Sequence, residues 1–327
     1  MKRMTTSLTL AALLALGVSR IGAQAPAPAT AKPQAPAAPA TAKPPEPPKP
    51  PRAMAPLDLV GTWVGVVSED WRWRMVTPPK GDLESVPLND AGRKLANTWT
   101  YEPKPDAENA CKPFGAGGIM RMPGRVRFSW ADDSTLKLEF DAGTQTRLLK
   151  FAATGATTGS APAKASAPSA PSWQGTAVAT WEYAGASNVD RNGIPTTQGR
   201  GSLIGGGGGG GGRGRGAAAV DPSRGGSLKV VTTNLKAGYL RKNGAPYSAS
   251  AVVTEYFDRL KYPNGDVWLI VRTVVEDPTY LTMPFITSTN FKLEANDAKF
   301  KPTPCAIDPP IKRGEEVFES DRLLRNP

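Results

Sequence analysis

The sequence predicts an all-β fold, an antiparallel β-barrel of about 8–10 strands with one short helix and long disordered insertions. Two observations carry this. Short segments alternate apolar and polar residues, as Val126, Phe128 and Trp130 do against Arg125, Arg127 and Ser129. One apolar side per segment is the pattern of an antiparallel sheet buried on one face. Turn residues separate the segments, most clearly in Tyr262-Pro263-Asn264-Gly265-Asp266.

From the N-terminus, residues 1–23 read as a signal peptide. Lys2 and Arg3 supply the charged start, and Leu8 to Val18 is apolar but too short to span a bilayer. Small residues at Gly22, Ala23 and Ala25 offer cleavage sites. No later stretch is apolar for about 18 residues, so no transmembrane segment is expected after cleavage, and the protein is expected to be periplasmic or secreted. Residues 24–56 are a Pro/Ala-rich linker with too little apolar surface to offset ordering entropy. Proline holds such a tract extended, as a semi-rigid spacer. The barrel domain is expected over 57–305, with low-complexity insertions at 153–172 and 185–226, and a C-terminal tail at 306–327. Gly205 to Gly212 is unbroken glycine, but no strand–loop–helix context surrounds it, so it is not a phosphate loop.

Within the domain, strand patterns cover Leu57–Met75, Arg125–Trp130, Leu136–Asp141, Gln145–Phe151, Trp173–Tyr183, Leu228–Leu235, Ala249–Leu260, Val267–Glu276 and Phe285–Leu293. Asn264-Gly265 suits a two-residue type I′ turn. That turn sets Tyr256 opposite Thr273 and Leu260 opposite Leu269, on a core side shared with Val252, Val271 and Val275. Glu255, Phe257, Arg259, Trp268 and Arg272 then face the other way, with Glu255 and Arg272 as a diagonal ion pair. The one helix starts at Asn89 or Asp90 as cap and covers a barrel mouth or sheet edge, with Leu95 and Trp99 on one side.

The chain has no histidine, which removes imidazole-based hydrolases and the common metal hydrolases. Cys111 and Cys305 are the only cysteines, and export makes them a disulfide. Two cysteines without histidine do not build a usual closed zinc site, so no metal and no cofactor is expected. The formal charge of +11 falls to about +8 once the signal leaves. Export turns that basic surface away from nucleic acid and towards an anionic envelope component.

The stretch Glu69-Asp70-Trp71-Arg72-Trp73-Arg74-Met75-Val76 is the candidate site. As one strand it puts Glu69, Trp71 and Trp73 on one side, and Asp70, Arg72 and Arg74 on the other. A bulge near Glu69 exchanges the two sides. Either the tryptophans are core, or Glu69, Trp71 and Trp73 line a cavity. In the second reading Arg147 or Arg272 balances Glu69, and these five residues are the candidate ligand contacts.

Gly61-Thr62-Trp63 resembles the G-x-W start of lipocalins and related calycin barrels. A wider set resembles secreted bacterial proteins of unassigned function. It comprises Cys111-Lys112-Pro113-Phe114-Gly115, Leu136 to Arg147, Trp173-Gln174-Gly175, Trp181-Glu182, Tyr247-Ser248, Glu255-Tyr256-Phe257, Glu276-Asp277-Pro278, Tyr280 and Pro284-Phe285. The chain departs from that pattern in its Gly-rich tract and in having Tyr247 where the pattern has histidine. The resemblance implies export and a β-rich domain, and carries no catalytic residue. The expected function is noncatalytic binding of a small apolar or amphipathic ligand in a lipocalin-like barrel. The alternatives are a structural or envelope-interaction module and a carboxylate-dependent hydrolase.

Overall fold

The computed structural model describes residues 49–152, 170–184, 223 and 225–311. The predicted signal peptide, and most of the linker, the two insertions and the tail, lie outside the described residues. Eleven strands are described: β1 (Gly61–Val66), β2 (Arg125–Asp132), β3 (Thr135–Phe140), β4 (Gln145–Phe151), β5 (Thr176–Tyr183), β6 (Gly226–Thr233), β7 (Gly238–Tyr239), β8 (Pro246–Tyr247), β9 (Val252–Lys261), β10 (Val267–Glu276) and β11 (Phe285–Leu293). With them go three short helices, α1 (Trp71–Arg74), α2 (Asp90–Ala96) and α3 (Ala107–Ala110).

Nine of the strands close into a barrel in the order β1-β11-β10-β9-β6-β5-β4-β3-β2, while β7 and β8 pair separately. The all-β barrel is as predicted. Its one departure from antiparallel pairing is β4 with β5, where Leu149, Lys150 and Phe151 run parallel to Ala177, Val178 and Ala179. Geometry requires such a pair: strands alternating in direction around a closed ring must be even in number. A parallel pair is joined by a crossover connection, here the segment between Phe151 and Thr176. Residues 153–169 of that connection lie outside the described residues.

Alternate residues of each strand point inward and fill the barrel. Trp63, Phe128, Leu138, Leu149, Leu228 and Phe257 have at most 1% of their surface exposed. Phe128 and Phe257 meet edge to face at 6.0 Å between centroids. This is close packing of the kind found inside small barrels. One charged pair interrupts it. Arg147 on β4 donates to Glu255 on β9 through Nη1 at 3.0 Å and Nη2 at 2.5 Å, and Nη2 also reaches Thr232 Oγ1 at 3.1 Å. Both charged side chains are fully buried.

The end of the barrel formed by the β2–β3 and β9–β10 hairpins is closed by residues 50–59. Trp181 Nε1 donates to the Pro51 carbonyl at 2.8 Å and Tyr183 to that of Met54 at 3.1 Å. Ala55 and Leu57 pack on the core. The folded part therefore reaches back into the predicted linker. The buried Trp181 and the half-buried Tyr183 need acceptors, and a Pro-rich segment offers carbonyls with few competing N–H groups.

The β9–β10 register differs from the predicted one by a single residue. Val267 pairs with Lys261, and the ladder runs on to Glu276 with Val252. The loop holds three residues, Pro263 to Gly265, closed by Tyr262 N to Asp266 O at 2.8 Å, with Gly265 at φ 87°. A three-residue loop ending in a left-handed glycine is the next most favoured hairpin after the two-residue form. One residue of slip turns a whole strand over. The inward residues of β10, including Leu269, Val271 and Val275, are those expected, whereas β9 buries Val253, Glu255 and Phe257 instead of Val252 and Tyr256. Glu255 thus meets Arg147 and not Arg272. Arg272 lies on the outer face, 4.5 Å above the Tyr256 ring.

Helix α2 starts at the predicted cap, with the Asn89 side chain accepting from Gly92 N at 2.9 Å. Trp99 is buried as expected, but Leu95 is exposed and Ala96 takes the inner position. Gly92, an unfavourable residue inside a helix, is explained by what it faces: a Cβ there would lie 2.6 Å from the Tyr280 carbonyl oxygen and 3.0 Å from Leu88 Cδ2. Gly→Ala normally stabilises a helix interior by about 1 kcal/mol. At Gly92 the sign is expected to invert, to a loss of about 1–2 kcal/mol, read from the urea midpoint. A rise in the midpoint would show that the Tyr280 turn yields freely.

Candidate functional site

The other end of the barrel is where β4, β5, β9 and β11 begin. Over it lie α1, residues 75–88, α2, residues 111–121 and the β7–β8 hairpin. Leu83, Val86, Leu88, Leu240, Tyr247 and Phe285 belong to a second apolar cluster here.

The predicted strand over Glu69 to Met75 is overturned. β1 stops at Val66, Asp70 adopts a left-handed conformation at φ 53°, and the chain turns once as α1. The side-chain period changes from two to about 3.6, so the two predicted faces are not formed. The local cause is Arg74, whose buried guanidinium donates through Nη1 to Glu69 Oε1 at 2.7 Å and through Nε to the Arg121 carbonyl at 3.2 Å. Burial pulls the Arg74 guanidinium below its usual pKa, against the pull of the Glu69 carboxylate. Arg121 in turn donates to Asp70 Oδ2 at 2.9 Å and lies over the Phe285 ring at 5.9 Å.

Trp73 is held between two cations. The Arg72 guanidinium lies 3.9 Å from its ring centroid and that of Arg241 4.4 Å from it. Its Nε1 donates to Asp82 Oδ1 at 3.1 Å. Trp71, one residue before Arg72, is 58% exposed.

Arg241 sits in the tight turn between β7 and β8. Asn243, fully buried in that turn, ties it to the 75–88 segment by donating to the carbonyls of Pro79 at 2.9 Å and Asp82 at 2.8 Å. Gly244, at φ 82°, lies where an added Cβ would strike the Trp99 ring. Arg241 is only 3% exposed, and none of its three nitrogens has a hydrogen-bond partner. Burial lowers its pKa to about 10, with the Arg121 charge adding to the effect and Asp70 and Asp82 opposing it. Lys242 beside it is also lowered by burial.

Several of the resemblance motifs gather at the same end, though Trp181-Glu182 lies at the opposite one. Asp277 accepts from Ser248 N at 2.7 Å, Ser248 Oγ at 2.8 Å and Thr279 N at 3.0 Å. Gln174 donates to the Phe114 carbonyl at 2.7 Å. Tyr247 is fully buried against Gly115, Gly117 and Gly238, its hydroxyl has no partner, and burial raises its pKa. These contacts account for Gln174, Tyr247, Ser248 and Asp277 as joints of the barrel's cover.

Of the five predicted ligand contacts, Glu69, Trp71 and Trp73 come together at α1. Arg147 is inside the barrel on Glu255, and Arg272 is on the outer wall. Sequence reasoning missed Arg121, and also Arg241 and Lys242, because two cations before Asn-Gly are the composition of a solvated turn. Their flanks, Tyr239-Leu240 and Ala245-Pro246-Tyr247, were the available sign that this turn is covered. The predicted Cys111–Cys305 disulfide is formed. Among the described residues no helix is long and apolar enough to cross a membrane, and no cluster of acidic and sulfur ligands is placed to hold a metal.

No family model, curated protein or solved structure matches this chain.

Proposed function

We propose that this is an exported, noncatalytic binding protein that takes a small amphipathic ligand at the α1 end of its barrel. The position moves from the barrel's interior to its mouth because the interior is filled by its own side chains. The observation that carries the reading is the pair Trp71 and Trp73: one projects into solvent, and the other forms an aromatic floor between two guanidinium groups. Exposed aromatics beside buried polar groups are the usual make-up of a ligand site. Export is supported by the N-terminal pattern and by the disulfide.

A carboxylate-dependent hydrolase has less support. Glu69, Asp70 and Glu255 are each engaged by an arginine, and Asp277 by three donors. An envelope module working through its basic surface rests on net charge alone.

Tryptophan fluorescence titration with a nonionic and an anionic detergent below their micelle concentrations tests the reading. Trp73→Ala is expected to weaken uptake by about tenfold, and Trp71→Ala by a smaller factor, with Leu138→Ala as a core control that loses stability but not affinity. Equal loss of affinity in all three variants would leave only a packing role for the tryptophans.

A further inference from the structure

We propose that the α1 end of the barrel binds a compact oxyanion, a carboxylate or a phosphate, on the guanidinium of Arg241, with Arg121 as the second donor. This deepens the binding reading above by giving the ligand's head group its chemistry.

Charge at this end of the barrel is unbalanced. Arg74, Arg121, Arg241 and Lys242 are all buried at this end. Of the carboxylates near these cations, Glu69 is taken by Arg74 and Asp70 by Arg121, while Asp82 accepts from Trp73 Nε1 and acts on Arg241 only through its charge. Arg241 is left with no acceptor at Nε, Nη1 or Nη2, and Arg74 keeps one bare nitrogen, Nη2. Beyond the Trp73 ring, Arg241 has no contact that satisfies a directional donor, and a π face attracts a cation without accepting its fork of hydrogen bonds. A buried guanidinium is normally paired, and its planar fork matches a carboxylate or phosphate.

The acid on Arg121 is poised to leave. The Asp70 side chain remains 37% exposed, whereas the arginine it contacts is 7% exposed. Asp70 can therefore turn to water while Arg121 cannot, whereas Glu69 is held on Arg74 by Ser68 and Asn290 as well. Asp70 holds its place in a left-handed conformation that a non-glycine residue adopts at some cost. An incoming oxyanion replaces the Asp70 carboxylate on Arg121 and supplies Arg241 with its missing acceptors. Access requires the Trp73 indole to tilt off Arg241, which leaves its ring against the apolar part of the ligand. The turn that carries it is held from outside by Arg72 to Glu84 at 2.9 Å and Trp73 to Asp82 at 3.1 Å. Trp71 and Met75, both exposed on that turn, then offer an apolar surface to the rest of an amphipathic acid.

A purely structural role for Arg241, as a cation stacked on Trp73, predicts the opposite sign for one measurement. If the charge awaits a ligand, removing it from the empty protein stabilises the fold. If the stack holds the cover in place, removing it destabilises.

The test uses the mature full-length protein at constant ionic strength, with chloride as reference. Thermal melts and calorimetric titrations are run with inorganic phosphate, dodecanoate and uncharged dodecanol. Phosphate and dodecanoate are expected to raise Tm by a few degrees over chloride. Arg241→Met should abolish that rise, weaken dodecanoate binding by about tenfold or more, and raise the Tm of the ligand-free protein. Arg241→Lys keeps the charge without the fork and should weaken binding by a smaller factor, which guards against a folding defect in the first variant. An equal anion effect in wild type and Arg241→Met overturns the proposal, as does a lower ligand-free Tm with anion binding intact. Dodecanol binding as tightly as dodecanoate, with both insensitive to Arg241, removes this inference and leaves the binding reading. Phosphate binding that depends on Arg241, without uptake of either amphiphile, keeps the oxyanion site and removes the amphipathic ligand.

Discussion

Replacing Arg147 with methionine is expected to lower the free energy of unfolding by about 3–5 kcal/mol, the largest effect of any single substitution considered for this protein. The pair it belongs to spans the barrel. β4 and β9 are not neighbours, since β5 and β6 lie between them. The two side chains cross the interior with no exposed surface, in bidentate geometry. Taking two charges out of water costs several kcal/mol per ion, and their attraction roughly offsets that cost. Methionine fills much of the arginine's volume, so the cavity contribution is small and the loss comes from Glu255, left buried with no cation. Thr232 Oγ1 loses its donor as well.

The double variant Arg147→Met/Glu255→Leu separates the buried charge from packing. With both charges gone, the stability is expected to return to within about 1 kcal/mol of wild type or above it. Urea unfolding of the four proteins gives the coupling energy directly. If the double variant is as unstable as the single one, the deficit belongs to packing, and the pair is not what the interior depends on.

That pair also shows where the sequence stopped being legible. The inward residues of β2 and β3 follow from alternation alone, because each of those strands offers one apolar and one polar face. β9 does not. Val252, Thr254 and Tyr256 look as buriable as Val253, Glu255 and Phe257, and only the cation waiting on β4 makes Glu255 an interior residue. The choice was left to the turn, and Pro263-Asn264-Gly265 is compatible with two loop lengths whose registers differ by one residue. A contact between strands far apart in the chain decided it, and a local pattern carries no record of such a contact.

The candidate site failed to read out for a related reason. Asp70 to Met75 alternates polar and apolar residues, so period two is the natural reading, yet Arg74 finds its acceptors at Glu69 and at residue 121. Half of the site lies in the β7–β8 turn, in residues whose type signals solvent. By contrast the disulfide and the helix cap at Asn89 were legible because each rests on a single chemical requirement: a partner for the one other cysteine, and an acceptor for unpaired helix N–H groups.

Reducing the Cys111–Cys305 bond is expected to be the second largest effect, a loss of about 3–5 kcal/mol and a fall in Tm of about 10 °C. The bond joins residues 194 apart, and by the chain-entropy estimate closing so long a loop removes about 5 kcal/mol of freedom from the unfolded chain. The lower end of the range allows for structure retained in the unfolded state. The folded state itself should change little. The segment around Cys305 is fixed independently, by Thr303 N to the Asp141 carbonyl at 2.8 Å and by Thr144 Oγ1 to the Thr303 carbonyl at 2.8 Å. Ile307 packs against the barrel core. The Cys111→Ala/Cys305→Ala variant should therefore keep its near-ultraviolet circular dichroism below the transition while melting earlier. A change in the folded-state spectrum without a shift in Tm would mean that the bond holds only a local strap. An unchanged Tm and spectrum would remove it from the account of stability altogether. Because Cys111 leads into the segment that ends at Arg121, the same variant also reports on the oxyanion site. Anion binding is expected to survive in it wherever the protein is folded, since the donors on Arg121 and Arg241 are positioned by the barrel end and the β7–β8 turn, not by the sulfur bridge.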